Sequence, residues 1–396
     1  MSSPGNGGKF GGREVVIVDA VRIPVGRGHE EKGYYKDTHP STMLATVFKE
    51  LIDRSGIDAA EVEDVVGGCV QQFGEQGLNI TRNAWLEAGL PIETAATTVD
   101  RQCGSAQQGI NFAAALVASG VHDVAIGGGV EHMGHISFAD SAQVMGEHGF
   151  AFSPALMERY NLVNQGISAE MIADQWEIPR SELDELGVRS HQLAAKATEE
   201  GRFEREIVAM EVGGEIVTTD QGIRPDSNLE TLSQLKPAFK EDGKITAGNS
   251  SQVSDGAAAV LLMNREKADA LGLKPRAKIV DQTTVGVDPV IMLTGPIPAT
   301  QKILDRNGMT IDDIDLFEVN EAFASVLAAW YREHKPDMDR VNVNGGAIAL
   351  GHPLGSTGAR LMTTLLHELE RSDKEMGLVT MCCGGGLGTG TLIQRV

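Results

Sequence analysis

Cys103 sits in Thr98-Val99-Asp100-Arg101-Gln102-Cys103-Gly104-Ser105-Ala106, where a strand-like run gives way to the start of a helix. A thiol at a helix N-terminus feels the positive end of the dipole, and its thiolate is the nucleophilic form. Arg101 adds a cation nearby. His352 stands on a second strand-to-helix turn, Gly351-His352-Pro353, with Pro353 suited to the first turn of the next helix. A free cysteine is mostly protonated at neutral pH, and a neighbouring imidazole can accept its proton. Cys382 closes what reads as the last strand, just ahead of Gly384-Gly385-Gly386. A second thiol there can move protons, and the N–H groups of a glycine turn can receive an oxyanion. Asn320, in Asn320-Glu321-Ala322-Phe323, follows a strand; it can hold a water or a carbonyl, or simply cap a helix. Inert buried thiols and an ordinary core histidine are the competing readings, and only convergence in space separates the two.

The rest of the composition narrows the class. The 396 residues carry 34 basic and 55 acidic side chains, a formal net charge of −21. Phosphate affinity and attraction to anionic lipid both need clustered Lys and Arg, so neither a nucleic-acid binder nor a membrane-surface protein is expected. No apolar run approaches the ~18 residues of a membrane helix. Met1 to Gly12 is Ser/Gly/Pro-rich without an apolar stretch, and reads as a flexible lead-in rather than a secretory signal. Four cysteines, at 69, 103, 382 and 383, are too few for a disulfide framework, so a reducing, cytoplasmic protein is expected. Their spacing resembles no zinc site, and no metal is expected. The glycines from Gly384 to Gly390 do not make a dinucleotide loop, because too little chain follows for a βαβ unit.

The elements that must carry these residues alternate between strand and helix. Glu14 to Asp19 is a β-branched strand, Thr42 to Ser55 a helix, and Val62 to Val70 a further apolar run. Ser105 to Ser119 reads as a helix buried all round. Asp123 to Ile126 reads as a strand ending in Gly127-Gly128-Gly129. The same order recurs about 250 residues later: strand Lys278 to Asp281, Ile311 to Val319 echoing Ile57 to Val65, helix Gly355 to Glu370, and strand Leu378 to Met381 before the second glycine triplet. Two copies of one α/β unit are the simple reading. The chain between them holds a polar helix, Arg180 to Glu200, closed by Gly201, and short strand-like runs at Ile207 to Val212 and Glu215 to Thr218. It reads as an insertion folded over one copy.

Taken jointly and in order along nearly the whole chain, the motifs at Cys103, Asn320, Gly351-His352-Pro353 and Cys382-Cys383-Gly384-Gly385-Gly386 resemble the thiolase family. The resemblance implies a duplicated five-layered α/β/α/β/α fold with an inserted loop domain. It divides the chain into 13–131 completed by 252–276, an insertion at 132–251 covering coenzyme A, and 277–396. It implies Cys103 as the acylated nucleophile, His352 as its activator and Cys382 as the acid/base thiol, with Cys383 a bystander. It places a water on Asn320 which, with His352, makes one oxyanion hole, and assigns the N–H groups of Cys103 and Gly384 to the other. Thr246 to Ser251, with Ala247, Gly248 and Ser251, resembles the pantetheine-binding stretch; Arg224, Leu235, Phe239 and Phe323 resemble further coenzyme A contacts. Coenzyme A is then a substrate and no other cofactor is implied. The family is commonly dimeric or tetrameric.

The implied activity is cleavage of a 3-oxoacyl-CoA by CoA in fatty-acid or sterol side-chain β-oxidation. Three positions depart from common family patterns: Ala106 for Gly, Asp100 for Asn or Ser, and Asn164-Gln165-Gly166 where biosynthetic members show His-Met-Gly. The last favours the degradative type over an acetoacetyl-CoA thiolase working in the condensing direction, which is the alternative. A Cys-His hydrolase would need only one thiol, and a non-catalytic acyl-CoA carrier would be expected to have lost one of the three reactive side chains.

Overall fold

The computed structural model describes residues 12–396; the proposed lead-in, apart from Gly12, lies outside them. The first half runs β1 Val15–Arg22, β2 Gly26–Arg27, α1 Pro40–Ser55, β3 Asp64–Gly68, α2 Ile80–Glu87, β4 Ala95–Val99, α3 Ser105–Ser119 and β5 Val124–His132. The middle holds α4 Phe138–His148, α5 Pro154–Arg159, α6 Gln165–Gln175, α7 Arg180–Glu199, the hairpin β6 Met210–Val212 and β7 Glu215–Val217, and α8 Leu229–Ser233. Then follow β8 Ser254–Asn264, α9 Arg265–Ala270, β9 Ala277–Gly286, α10 Pro296–Asn307, β10 Leu316–Val319, α11 Ala324–His334, α12 Ala347–Leu350, α13 Thr357–Arg371, β11 Met376–Cys383 and β12 Leu387–Arg395.

The main strands follow the order β10-β11-β12-β9-β1-β8-β5-β3-β4. Duplication is visible in the pairing. In the first half β3 pairs parallel with β5, β5 antiparallel with β8, and β8 antiparallel with β1. In the second, β10 pairs parallel with β11, β11 antiparallel with β12, and β12 antiparallel with β9. Among the described residues the two half-sheets pair through two residue pairs, Val16 with Lys278 and Ile17 with Ala277.

Side-chain alternation builds the layers, because successive strand residues face opposite ways. Val15, Ile17 and Val66 point to one core with α3 and α13, which also takes Ile279, Val379 and Ile393 from the other half-sheet. Val16, Val18, Val65 and Ile126 point the other way, against α1 and α2. Phe317, Val319 and Leu378 pack outward on α10 and α11. The result is five layers: α1/α2, half-sheet, α3/α13, half-sheet, α10/α11. Between the two sheets α3 is largely buried, with Phe112, at 42%, and the terminal Ser119 exposed. In the inserted region α6 and α7 pack on α11. Among the described residues no helix is long and apolar enough to cross a membrane.

Several sequence expectations need correction. The first glycine triplet does not end a strand; it lies inside β5. A side chain at Gly127 would collide with the Ile110 backbone of α3, and one at Gly129 with the Gly355 carbonyl. Gly127 lets α3 press closely on its own half-sheet, and Gly129 lets the Gly355 loop of the other half approach. The second triplet is a true turn, with Gly385 and Gly386 at φ +79° and +78°. The triplets are therefore not equivalent, and it is the strand order that carries the repeat. Cys382 lies in the penultimate strand, because β12 follows. Pro353 precedes α13 by a full turn and accepts the N–H groups of Ser356 and Thr357 instead of opening the helix. The strand-like run at Ile207 shortens to a hairpin beginning at Met210.

Candidate active site

The chain leaves β4 and turns sharply before α3. Gln102 takes a left-handed φ of +49°, a conformation that non-glycine residues seldom hold without support. Ser105 supplies that support: its hydroxyl accepts the Arg101 N–H at 2.8 Å and donates to the Gln102 carbonyl at 2.6 Å. Cys103 is thereby presented just ahead of the helix, 2% exposed. Burial pushes its thiol up to about 11, opposed by the N–H groups of Gly384 and of Cys103 itself. The helix end and Arg101 were expected to lower this value. Instead burial dominates, and the Arg101 charge acts on Cys383. The resting nucleophile is a neutral thiol.

His352 is delivered by the loop between α12 and α13. Its N–H is shared between the Gln252 carbonyl and the Ser254 hydroxyl, both at 3.2 Å. The loop is tied to the other half of the molecule by Glu131, which is fully buried at the end of β5. That carboxylate accepts the Gly355 N–H and the Val70 N–H at 2.8 Å, the Gln71 N–H at 3.0 Å and the Gln76 amide at 3.1 Å. A carboxylate can be held in an apolar interior only when its lone pairs are satisfied in this way.

The imidazole tautomer follows from its partners. Nδ1 lies 2.6 Å from the Thr357 hydroxyl, and that hydroxyl donates its one proton to the Pro353 carbonyl at 2.8 Å. Thr357 can then only accept, so Nδ1 carries the hydrogen. Nε2 keeps its lone pair, toward which the Asn320 amide points at 3.3 Å. Burial, reinforced by the Arg360 cation, depresses the imidazole to about 3. Arg360 lies one turn beyond Thr357 on α13, 3.5 Å from Glu318, whose carboxyl burial pushes up to about 8 against the pull of the guanidinium.

Asn320 does not cap a helix, since Phe323 precedes α11. Its N–H reaches the Thr380 carbonyl at 3.0 Å, and its buried Oδ1 has no protein partner. Next to it, Glu321 receives the Ser190 hydroxyl of α7 at 2.6 Å and the Asn342 amide at 2.9 Å. Cys382 is fully buried, and burial together with the neighbouring Cys103 and Cys383 sulfurs raises its thiol well above the usual range. Alternation along β11 turns Cys383 the other way, toward the Gly104 N–H and Thr389. Cys103, the Gly384 N–H and Cys382 thus meet where the two halves adjoin, and Asn320, paired with His352, is bonded to the Thr380 carbonyl two residues before Cys382. Such a group can form a thioester, hold an oxyanion and shuttle a proton.

The remaining expected residues spread outward from this centre. Ala324 donates its N–H to the Asn249 carbonyl at 2.8 Å, and Ser251 donates to the Ala322 carbonyl at 3.0 Å, which lays the 246–251 stretch beside Phe323. Phe239 meets Phe323 edge-on at 6.0 Å between ring centroids. The Leu235 side chain lies 2.9 Å from where a Cβ on Gly248 would stand, while Ala247 is exposed. Arg224, in the loop between β7 and α8, is exposed, its N–H donating to His191 Nδ1 of α7 at 3.1 Å. Sequence reasoning missed Thr357, Glu131, Ser254 and Gln102. A hydroxyl one turn beyond a His-Pro pair is a signal that could have found Thr357; the others act through long-range contacts or a positive φ that no local pattern announces.

Residues 15–266 match the family model for the thiolase N-terminal domain, and residues 273–395 that for the thiolase C-terminal domain. A steroid 3-ketoacyl-CoA thiolase of Mycobacterium tuberculosis is 45% identical over 398 residues, covering 99% of this chain and 97% of that protein. A 3-ketoacyl-CoA thiolase of Acinetobacter baumannii is 47% identical over 396 residues, covering 97% and 98%. A crystal structure of the Bacillus anthracis acetyl-CoA acetyltransferase superposes with a TM-score of 0.88 at 37% identity, covering 97% of this chain and 99% of that one.

Proposed function

The chain belongs to the thiolase family and is therefore an acyltransferase, and from that premise we propose that it cleaves 3-oxoacyl-CoA with CoA to acetyl-CoA and a shortened acyl-CoA in β-oxidation. The observation that carries the residue assignment is the convergence of the Cys103 sulfur, the Gly384 N–H and the Cys382 sulfur; the Nδ1–H tautomer of His352, paired with Asn320, supports its assignment as proton acceptor.

As the Cys103 sulfur attacks C3 of the substrate, its proton passes to His352 Nε2. The charge developing on the C3 oxygen is received by hydrogen-bond donors; losing one such donor typically lowers turnover ~10²–10³-fold. The C2–C3 bond then breaks, the departing carbanion takes the proton of Cys382, and acetyl-CoA leaves. Free CoA gives its thiol proton to the Cys382 thiolate and attacks the acyl group, and the Cys103 sulfur recovers its proton from His352. Two thiols are needed because one is acylated while the other moves protons. The unpartnered Asn320 Oδ1 supports a bound water there.

We assign coenzyme A to the face formed by 246–251, Leu235, Phe239 and Phe323 within the inserted 132–251 unit, with Arg224 toward its nucleotide end. No further cofactor enters the reaction. A homo-oligomer is supported by β4, an edge strand with an open side, flanked by Leu78 and Ile92 at 95% and 70% exposure. Four free, buried thiols support residence in a reducing compartment such as the cytoplasm.

The test is a thiolysis panel of 3-oxoacyl-CoAs with added CoA, together with intact-mass detection of an acyl adduct. Adduct on the native chain and none on Cys103→Ala is expected. Turnover retained by Cys103→Ala, or release of free acid without CoA, would remove the assignment.

A further inference from the structure

We infer that Glu318 and Arg360 are positioning residues for acylation: their buried contact sets the spacing between Asn320 and the His352 imidazole. The inference rests on the thiolase reading, in which His352 takes the Cys103 proton. Strand alternation turns Leu316, Glu318 and Asn320 to one side of β10. Leu316 packs there with Leu361, Met362 and Leu365 of α13, whereas Phe317 and Val319 pack outward. Asn320 continues the strand, its N–H on the Thr380 carbonyl at 3.0 Å. On α13, Thr357 and Arg360 are one turn apart and share a face. Thr357 holds His352 Nδ1 at 2.6 Å. One element thus carries Asn320 and the other fixes His352. The Arg360 Nη1 to Glu318 Oε2 contact, at 3.5 Å, spans them beside both members.

Stability does not explain the contact, because apolar residues of similar size are often as stable as a buried ion pair. Glu318 and Arg360 are 2% and 1% exposed. All three guanidinium nitrogens and Glu318 Oε2 lack a hydrogen-bond partner among the described residues. The other charges near the pair are Arg22, Glu206, Asp220, Glu321 and Glu368. Glu206 and Asp220 hold Arg22, Glu321 receives Ser190 and Asn342, and Glu368 receives Asn344 and Arg371. Glu318 is the counter-charge left to Arg360, which cannot shed its own charge. Burial raises the Glu318 carboxyl to about 8, so the contact is a full ion pair above that pH and a charge–carbonyl contact below it. Apolar packing is non-directional and would hold β10 and α13 together without fixing their register. Drift that parts two opposite charges in a low-dielectric interior is opposed steeply. The same drift would open the 3.3 Å contact between Asn320 Nδ2 and His352 Nε2.

The experiment measures single-turnover acylation of Cys103 by the best substrate of the thiolysis panel, on both sides of pH 8. It compares the native chain with the double variant Glu318→Leu, Arg360→Met, each with and without Asn320→Ala. Above pH 8 the double replacement removes a cation together with its counter-charge, so the net charge near His352 is unchanged. The double variant should keep the native urea midpoint or exceed it, yet acylate slower by about tenfold or more, since misplacing a reacting group by about 1 Å can cost ~10²-fold. Half-saturation should change little. The native rate should gain a rising limb as Glu318 ionises, and the double variant should lack that limb. In the Asn320→Ala background the same replacement should cost little further, because coupled sites are not additive. A native rate, a limb that persists, losses that add to that of Asn320→Ala, or a double variant that does not fold each overturns the inference and leaves the thiolase reading standing. No acyl adduct on the native chain would sink both.

Discussion

Replacing Thr357 by Val tests the tautomer argument directly. Valine keeps the volume and branching of threonine but removes the acceptor 2.6 Å from His352 Nδ1. His352 is only 4% exposed, so water does not readily replace the lost partner. Leaving a buried donor unsatisfied costs ~1–3 kcal/mol. The imidazole escapes that penalty by moving its hydrogen to Nε2, which removes the lone pair that accepts the Cys103 proton. The productive tautomer is then disfavoured by the same amount, and thioester formation should slow by about 5- to 150-fold. Rapid-quench mass spectrometry of acyl-Cys103 measures this step before CoA turnover intervenes. Thr357→Ser keeps the oxygen and should recover most of the rate. A valine variant acylating at the native rate, or a serine variant as slow as valine, would refute the reasoning.

Glu131→Gln should also slow acylation, by tenfold or more with little change in urea midpoint, because an amide nitrogen cannot accept the N–H groups that fasten the Gly355 loop; a native rate would argue against that tether. The Cys103 thiol, raised to about 11, should react with iodoacetamide at a rate still climbing at pH 10, and a plateau near pH 8 would contradict the burial effect. His352 and His367 are depressed to about 3 and His191 to about 4. At these three sites the unfolded chain therefore binds more protons than the folded one below pH 6.5, an excess offset only in part by Glu318, whose carboxyl, raised to about 8, keeps its proton in the folded chain. Stability should fall on acidification from pH 6.5 toward 4, by up to about 1.4 kcal/mol per pH unit for each histidine; denaturation midpoints that stay flat over this range would count against it. Arg22→Leu strands Glu206 and Asp220, which the buried guanidinium bonds at 2.6 and 2.7 Å, and should cost ~3–5 kcal/mol in equilibrium unfolding.

Residue type and spacing were enough to mark Cys103, His352, Cys382 and Asn320 as candidates and to foresee an α/β chain built of two similar halves. Apolar periodicity is local, and so are the glycines and prolines that bound each run; helices such as α1 and α7 came within a residue or two of their expected ends. The glycine triplets show where local reading stops. Both look like turns, yet one sits inside β5 because α3 and the Gly355 loop press against it from other parts of the chain.

What only the tertiary structure decided was the state of the groups. A helix terminus, a nearby Arg and a His all favoured an acidic thiol at Cys103, but enclosure between two half-sheets outweighs them and keeps it protonated. The hydrogen on His352 is placed by a threonine one turn away, and the loop carrying it is moored by a carboxylate 224 residues distant in the chain. Desolvation and hydrogen-bond partners depend on what surrounds an atom in three dimensions. The order of residues names the reactive groups, and packing determines which of them carries a proton.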